Sequence, residues 1–316
     1  MIHRRSLILG SLAMPAIANA QPTGPLRVVC PWAPGGTTDA YLRGVAPLLG
    51  ARLGRDVVVE NRGGASGSVA LGWLKNQRPD GSVISLVTDA AFRVAIVQNV
   101  PYDALQDFDF LGGMANTVSG WAVRRDSPIT SLGDLVERAR ANPEGITYAA
   151  GGTPDNPPLG MRLLEHRSGV SFLFVPFAGG SQMVTAVLGG TVDVVFDSMG
   201  TLAGPVEGDA LRLLALAAEE RASRWPDKPT ARELGFDAVH PLHTGFIAPR
   251  GLPVAVKQQF DQALQSVAAD PAHGVLLQRL ALVPWARDAA GYEEAIRTMF
   301  RELPVQLREL GLPTRL

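Results

Sequence analysis

The chain has 316 residues, 29 of them lysine or arginine and 30 aspartate or glutamate, with 46% hydrophobic residues and one cysteine. So even a balance gives no electrostatic case for binding nucleic acid or an anionic lipid surface. A lone Cys30 excludes a disulfide framework and reads as a buried strand residue, and the length accommodates two domains.

Residues 1–20 read as an export signal. Arg4 and Arg5 make a charged start, Leu7 to Ile17 an apolar stretch, and Ala18-Asn19-Ala20 a small-residue cleavage site before Gln21. No later run approaches the roughly 20 apolar residues of a membrane helix, so no direct membrane insertion is expected after cleavage. His3-Arg4-Arg5-Ser6-Leu7-Ile8 fits a twin-arginine signal and equally the positive start of a general one. Removing the signal leaves 296 residues with a net charge of −3.

Beyond it, short apolar runs alternate with stretches of helical spacing, the pattern of an α/β fold. Leu26 to Cys30 reads as a strand, Thr38 to Leu53 as a helix, Val57 to Glu60 as a strand, Val69 to Asn76 as a helix and Val83 to Thr88 as a strand. A second unit begins with a Ser-x-x-Asp-capped helix at Ser131 to Ala141, then a strand at Ile146 to Ala149 and a helix at Leu159 to Arg167. Strands at Phe172 to Pro176, Val192 to Phe196 and Leu211 to Leu216, with a helix at Ser181 to Leu188, continue it. Gly245 to Ala248 reads as a returning strand, and Val254 to Ala268, Ala272 to Leu280 and Gly291 to Leu307 as terminal helices. Without a visible linker, two domains must be joined by crossing strands, placed near Trp121 and Thr244. That divides the chain into a first lobe of residues 21–121 plus 245–316 and an inserted second lobe of 122–244.

Catalytic signatures are scarce. The chain has no Gly-x-Ser-x-Gly elbow, no phosphate loop and no His-Glu-x-x-His helix. His166 and His273 fall on predicted helix surfaces. His240 and His243 form a pair without a third ligand, which reads as packing or cleft lining before a metal site. No enzyme, metal or cofactor is expected.

Two turns suit binding. The first strand ends in Pro31-Trp32-Ala33-Pro34-Gly35-Gly36-Thr37-Thr38-Asp39 and runs into a helix, and Pro176-Phe177-Ala178-Gly179-Gly180-Ser181 repeats the arrangement in the second unit. Ligands of open α/β sheets sit beyond the carboxyl ends of strands, where free amides at helix starts attract anions. Facing one another across a cleft, the two glycine corners would wrap a small anion with main-chain donors. Thr37, Thr38 and Asp39 equally suit helix capping. Thr88-Asp89 and Asp197 also stand at strand ends, where ordinary turn chemistry is the alternative. Trp32 and Phe177 are candidates for apolar cleft walls or for core.

In this order, these residues resemble the substrate-binding receptors of tripartite tricarboxylate transporters, the Bug family, from about Leu26 to Arg308. The matching elements are the Pro31 to Asp39 turn, Val57-Val58-Val59-Glu60-Asn61-Arg62, Pro79-Asp80-Gly81, Pro101-Tyr102-Asp103, Thr147-Tyr148-Ala149, Val175 to Gly180, Leu188 to Asp193 and Pro226 to Thr230. The resemblance implies a periplasmic type II binding-protein fold, two α/β lobes with a ligand cleft between them. It implies closure on a small organic acid, amino acid or other carboxylate-bearing solute, delivery to membrane permease subunits, and no nucleic acid. A monomer is expected, because a receptor exposes both lobes.

The loops matching the family's ligand shell contain Trp32, Pro34, Gly35, Gly36, Thr37, Asp39, Thr88, Asp89, Thr153, Asp155, Asn156, Ala178, Gly179, Gly180 and Asp197. The chain departs from the family at Gly151 to Pro158, where an acid, an amide and prolines replace a Ser/Gly-rich turn, and at Asp89, where a small or hydroxyl residue is typical. Asp155 or Asp89 then either pairs with an amino group of the ligand or caps a turn facing water. Two rivals remain: a sensor feeding a membrane signalling protein, which needs the same closure, and an enzyme on a related two-lobed fold.

Overall fold

The computed structural model describes residues 24–151, 158–177, 179–239 and 242–316. The signal segment 1–20 lies outside them. The first lobe begins with β1 (Leu26–Cys30), α1 (Thr37–Leu53), β2 (Val57–Asn61), α2 (Ser68–Leu74), β3 (Val83–Thr88), α3 (Asp89–Val97) and β4 (Phe108–Thr117). The second contains β5 (Ser119–Arg124), α4 (Leu132–Ala141), β6 (Thr147–Gly151), α5 (Leu159–Ser168), β7 (Leu173–Phe177), α6 (Gly180–Leu188), β8 (Val194–Ser198), α7 (Met199–Glu207) and β9 (Leu211–Leu216). The chain returns through β10 (Leu242–Pro249), α8 (Val254–Ala268), α9 (Pro271–Arg279), β11 (Leu282–Arg287) and α10 (Ala289–Glu309).

Two sheets result, ordered β11-β4-β10-β3-β1-β2 and β7-β6-β8-β5-β9. Strands β1, β2 and β3 are mutually parallel, as are β6, β7 and β8, so in each sheet the helices that follow start at the same edge. Central β3 is buried along its whole length, as a strand covered on both faces requires. Edge strand β2 is half-exposed. Trp121, Tyr148, Phe172 and Phe196 fill the second lobe's core, and Phe92, Phe110 and Tyr292 pack one face of the first sheet. Cys30 is fully buried.

The sheets are joined where β4 gives way to β5, at Val118, and where the chain re-enters the first sheet at Leu242. The expected crossing points Trp121 and Thr244 thus fall inside β5 and β10. Leu242 pairs with Thr117, so the two crossings stand side by side. Ser131 caps α4 by accepting the Asp134 N–H at 3.0 Å, as the sequence pattern predicts. His273 differs from expectation: α9 turns it inward against α1, where it is 1% exposed and its Nε2 lies 2.8 Å from the Tyr41 hydroxyl.

Candidate ligand cleft between the lobes

Where a helix follows a strand toward the junction, its first turn lacks a side-chain cap among the described residues. This holds for α1 after Gly36, α3 after Thr88, α5 after Pro158, α6 after Gly179 and α7 after Ser198. Helices α4, α9 and α10 are capped by Ser131, Asp270 and Asp288. Uncapped N-termini leave main-chain N–H groups and the positive end of the helix dipole for another anion, except that the first N–H of α7, at Met199, already donates to the Val118 carbonyl at 2.7 Å.

Three contacts draw these starts together. A Cβ on Gly200, in the first turn of α7, would lie 3.1 Å from the Thr37 hydroxyl oxygen at the start of α1. A Cβ on Gly180 would lie 2.5 Å from the Thr201 methyl group and 3.1 Å from Asp197 Oδ2. A Cβ on Gly67 would meet Ala91 of α3 at 2.8 Å and Pro31 at 3.3 Å. Between the lobes lies a cavity of about 360 Å³ lined by Ser66, Ala90 and Arg93 of the first lobe, by Ser119, Gly151, Leu159, Phe196 and Asp197 of the second, and by Leu303 and Leu307 of α10.

The glycine corner of the first lobe is held from behind. Gly35 has φ +87°, a conformation that glycine adopts without penalty. Its N–H donates to Asp39 Oδ2 at 2.9 Å, while Asn61 Nδ2 and Arg43 Nε donate to the same carboxylate at 2.8 and 3.0 Å. The Arg43 hydrogen bond, aided by the Gly35 and Asn61 donors, holds the Asp39 carboxyl down at about 2. Asp39 and the Gly35 N–H are therefore used inside the lobe, whereas Pro34, Gly36 and Thr37 are exposed at the rim. Trp32 is half-buried against the first lobe's core and Phe177 against the second's.

Thr88 and Asp89 are buried at the end of β3. Asp89 Oδ2 accepts the His243 main-chain N–H at 2.9 Å and lies 3.0 Å from His243 Nδ1, tying α3 to the returning strand. Its Oδ1 is buried and has no hydrogen-bond partner among the described residues. Burial pushes the Asp89 carboxyl up, against the pull of His243, and pushes the His243 imidazole down. Asp197 lies on the cleft's second-lobe wall, its carboxyl raised by burial despite the Thr201 hydroxyl and the Ser198 N–H. Gly179 is exposed and Gly180 half-buried at the start of α6. Thr153, Asp155, Asn156, Ala178 and His240 lie outside the described residues.

Sequence patterns did not single out Arg93. It lines the cavity from α3, its charge disfavoured by burial and favoured by Asp89. The signal was available: a single cation in the otherwise apolar run after Asp89, spaced i, i+4 from it.

Residues 41–312 match the family model described as the tripartite tricarboxylate transporter family receptor. The chain belongs to that family. This receptor is 32% identical to the "UPF0065 protein in gbd 5'region" of Cupriavidus necator, with 96% of this chain and 93% of the relative aligned. It is 27% identical to BugT of Bordetella pertussis over 81% of each chain. The solved structure of the periplasmic binding protein BugD superposes with a TM-score of 0.76 at 25% identity, covering 92% of this receptor and 99% of that chain. R. palustris Rpa4515, solved with adipate, shares the fold with a TM-score of 0.79 at 22% identity, covering 92% and 99%. The two-lobed binding-protein architecture expected from the sequence is the architecture found.

Proposed function

We propose that this receptor works in the periplasm, closes on a small carboxylate-bearing solute between its lobes, and presents the closed form to membrane permease subunits. The observation that carries this reading is the cavity between the lobes, where the starts of α3 and α5, at Ala90 and Leu159, meet Asp197 just ahead of α7. A carboxylate there gains roughly 0.3–1 kcal/mol from each well-placed dipole, up to about 2 when partly buried, beyond its hydrogen bonds. Because the ligand touches both lobes, it favours the closed form by its differential affinity, and closure is the signal a permease reads. Binding requires no bond making, so no catalytic group is assigned. Adipate in Rpa4515, a protein of the same fold, agrees with a carboxylate ligand.

A thermal-shift screen over mono-, di- and tricarboxylates, aromatic acids and amino acids tests the reading. A ligand at 100 times its dissociation constant stabilises by about 2.7 kcal/mol. A melting temperature unmoved by every acid at millimolar concentration would overturn it. Loss of uptake of the identified solute on deleting the receptor gene tests the permease step.

A further inference from the structure

Beside the interlobe cavity lies a second one, of about 510 Å³, and Arg93, Leu159 and Leu303 line both. Asp89 and His243 line the second cavity. Asp89 is 4% exposed, one of its oxygens bonds nothing among the described residues, and the other lies 3.0 Å from His243 Nδ1. His243 also lines a third cavity at the hinge, of about 600 Å³, and 20% of its side chain is exposed, so protons reach it without passing the ligand. Four groups face the pair: Arg93 one turn along α3, Glu219 after β9, Arg287 on β11 and the buried Tyr292 hydroxyl on α10. Farther round the second cavity, Arg232 pairs with Asp237 and Glu294 with Arg301, while Arg167 of α5 and Glu302 of α10 add one charge of each sign. A carboxylate in the first cavity shares the field of Arg93 with Asp89. Two anions beside one cation in a desolvated site raise each other's affinity for protons.

Resting on the receptor reading above, we propose that a carboxylate enters the cleft together with a proton, which the Asp89–His243 pair takes up and holds. The proton belongs to the pair and not to either residue alone. Coupling between two sites is reciprocal, so a receptor that gains a proton on binding holds the acid more tightly as pH falls.

Calorimetry with succinate, adipate, benzoate and any other acid that moves the melting temperature, in two buffers of unequal ionisation enthalpy from pH 5 to pH 8, counts the protons taken up. Wild type is expected to take up as much as one proton per acid bound, its affinity rising by up to about tenfold per pH unit of acidification. The acid's own protonation is common to all variants, so the uptake is read against Asp89→Asn, which keeps an oxygen for the His243 N–H. In that variant the extra uptake disappears, and the acid binds at least about fivefold more tightly than to wild type at pH 8, the low end of usual couplings between sites. Asp197, the other buried carboxyl on the cleft wall, is the control. If Asp89→Asn does not melt cooperatively, wild type and Asp197→Asn decide: equal uptake in both supports the pair. Uptake lost in Asp197→Asn puts the proton on the cleft wall and overturns the proposal, as does wild-type uptake no greater than that of folded Asp89→Asn. Both outcomes leave the receptor reading intact, whereas binding by no acid at all overturns that reading itself.

Discussion

Thr37 Oγ1, in the first turn of α1, lies 3.1 Å from the position that a Cβ would take on Gly200, in the first turn of α7. The lobes therefore touch at the rim of the cleft through a hydroxyl and a bare Cα, and a larger side chain at 200 would prop them apart. Gly200→Leu exchanges an exposed helical glycine for a better helix former, so unfolding stability should hold or rise. Ligand affinity is expected to fall at least about tenfold, and the radius of gyration of the ligand-saturated protein, from X-ray scattering, to increase. Wild-type affinity and radius would mean that this contact does not govern closure.

The second prediction concerns Asp39, whose carboxylate gathers Gly35, Asn61 and Arg43. Asp39→Ala strips three donors of one acceptor and should cost about 2 kcal/mol or more, since hydrogen bonds to charged groups contribute about 1.5–3 kcal/mol each. The pH dependence has a definite sign. The folded carboxyl titrates at about 2, below its ordinary 3.8, so its stabilisation is present above 3.8 and is lost as pH falls through about 2. The gap in melting temperature between wild type and Asp39→Asn should be full at neutral pH and close in that acid window. A gap independent of pH would mean that the charge is not what holds the corner.

Asp89 behaves oppositely, because burial raises its carboxyl. Its ionised form is disfavoured in the fold, so its stabilisation is present below the ordinary carboxylate value and is lost as pH rises through the raised one. Asp89→Asn keeps an oxygen for the His243 N–H and removes the charge, and should match or exceed wild-type stability at pH 7. Asp89→Ala leaves that N–H without its partner and should cost about 1–3 kcal/mol. Equal melting temperatures for the two variants would show that the bond to the returning strand contributes nothing.

How far the fold could be read from sequence follows from where each element's reasons lie. Strand β3 and its parallel neighbours were legible because their apolar runs are local and end in turns. Strand β4 was not, since Gly112-Gly113 interrupts its run. A Cβ at Gly113 would fall 2.4 Å from the Trp285 ring, so the glycine is dictated by a residue far along the chain. Helix α3 is short and mostly apolar, with Ala91, Phe92, Val94, Ala95 and Ile96 all buried, so nothing in its composition separates it from the strand that precedes it. Strand β11 was hidden by Pro284, admissible only because it lies at a sheet edge. At the candidate site, the strand–glycine–helix turns were legible because each is a local pattern. That Asp39 serves the turn, and Asp89 the returning strand, depends on partners contributed by the fold.

Asp197 supplies the last prediction, made on the receptor without ligand. Its carboxyl is raised by burial, so its stabilisation is fully present below the ordinary 3.8 and is lost as pH rises through the raised value. Asp197→Asn is neutral throughout and should melt above wild type at pH 7, by about 2–4 °C if the relief is about 1 kcal/mol. The advantage should disappear as pH falls below the ordinary carboxylate range. A variant that gains stability at pH 7 would show that burying this carboxylate in the cleft costs the fold stability, as functional sites commonly do. A melting difference that stays constant from pH 3 to pH 7 would show instead that the empty cleft leaves Asp197 solvated.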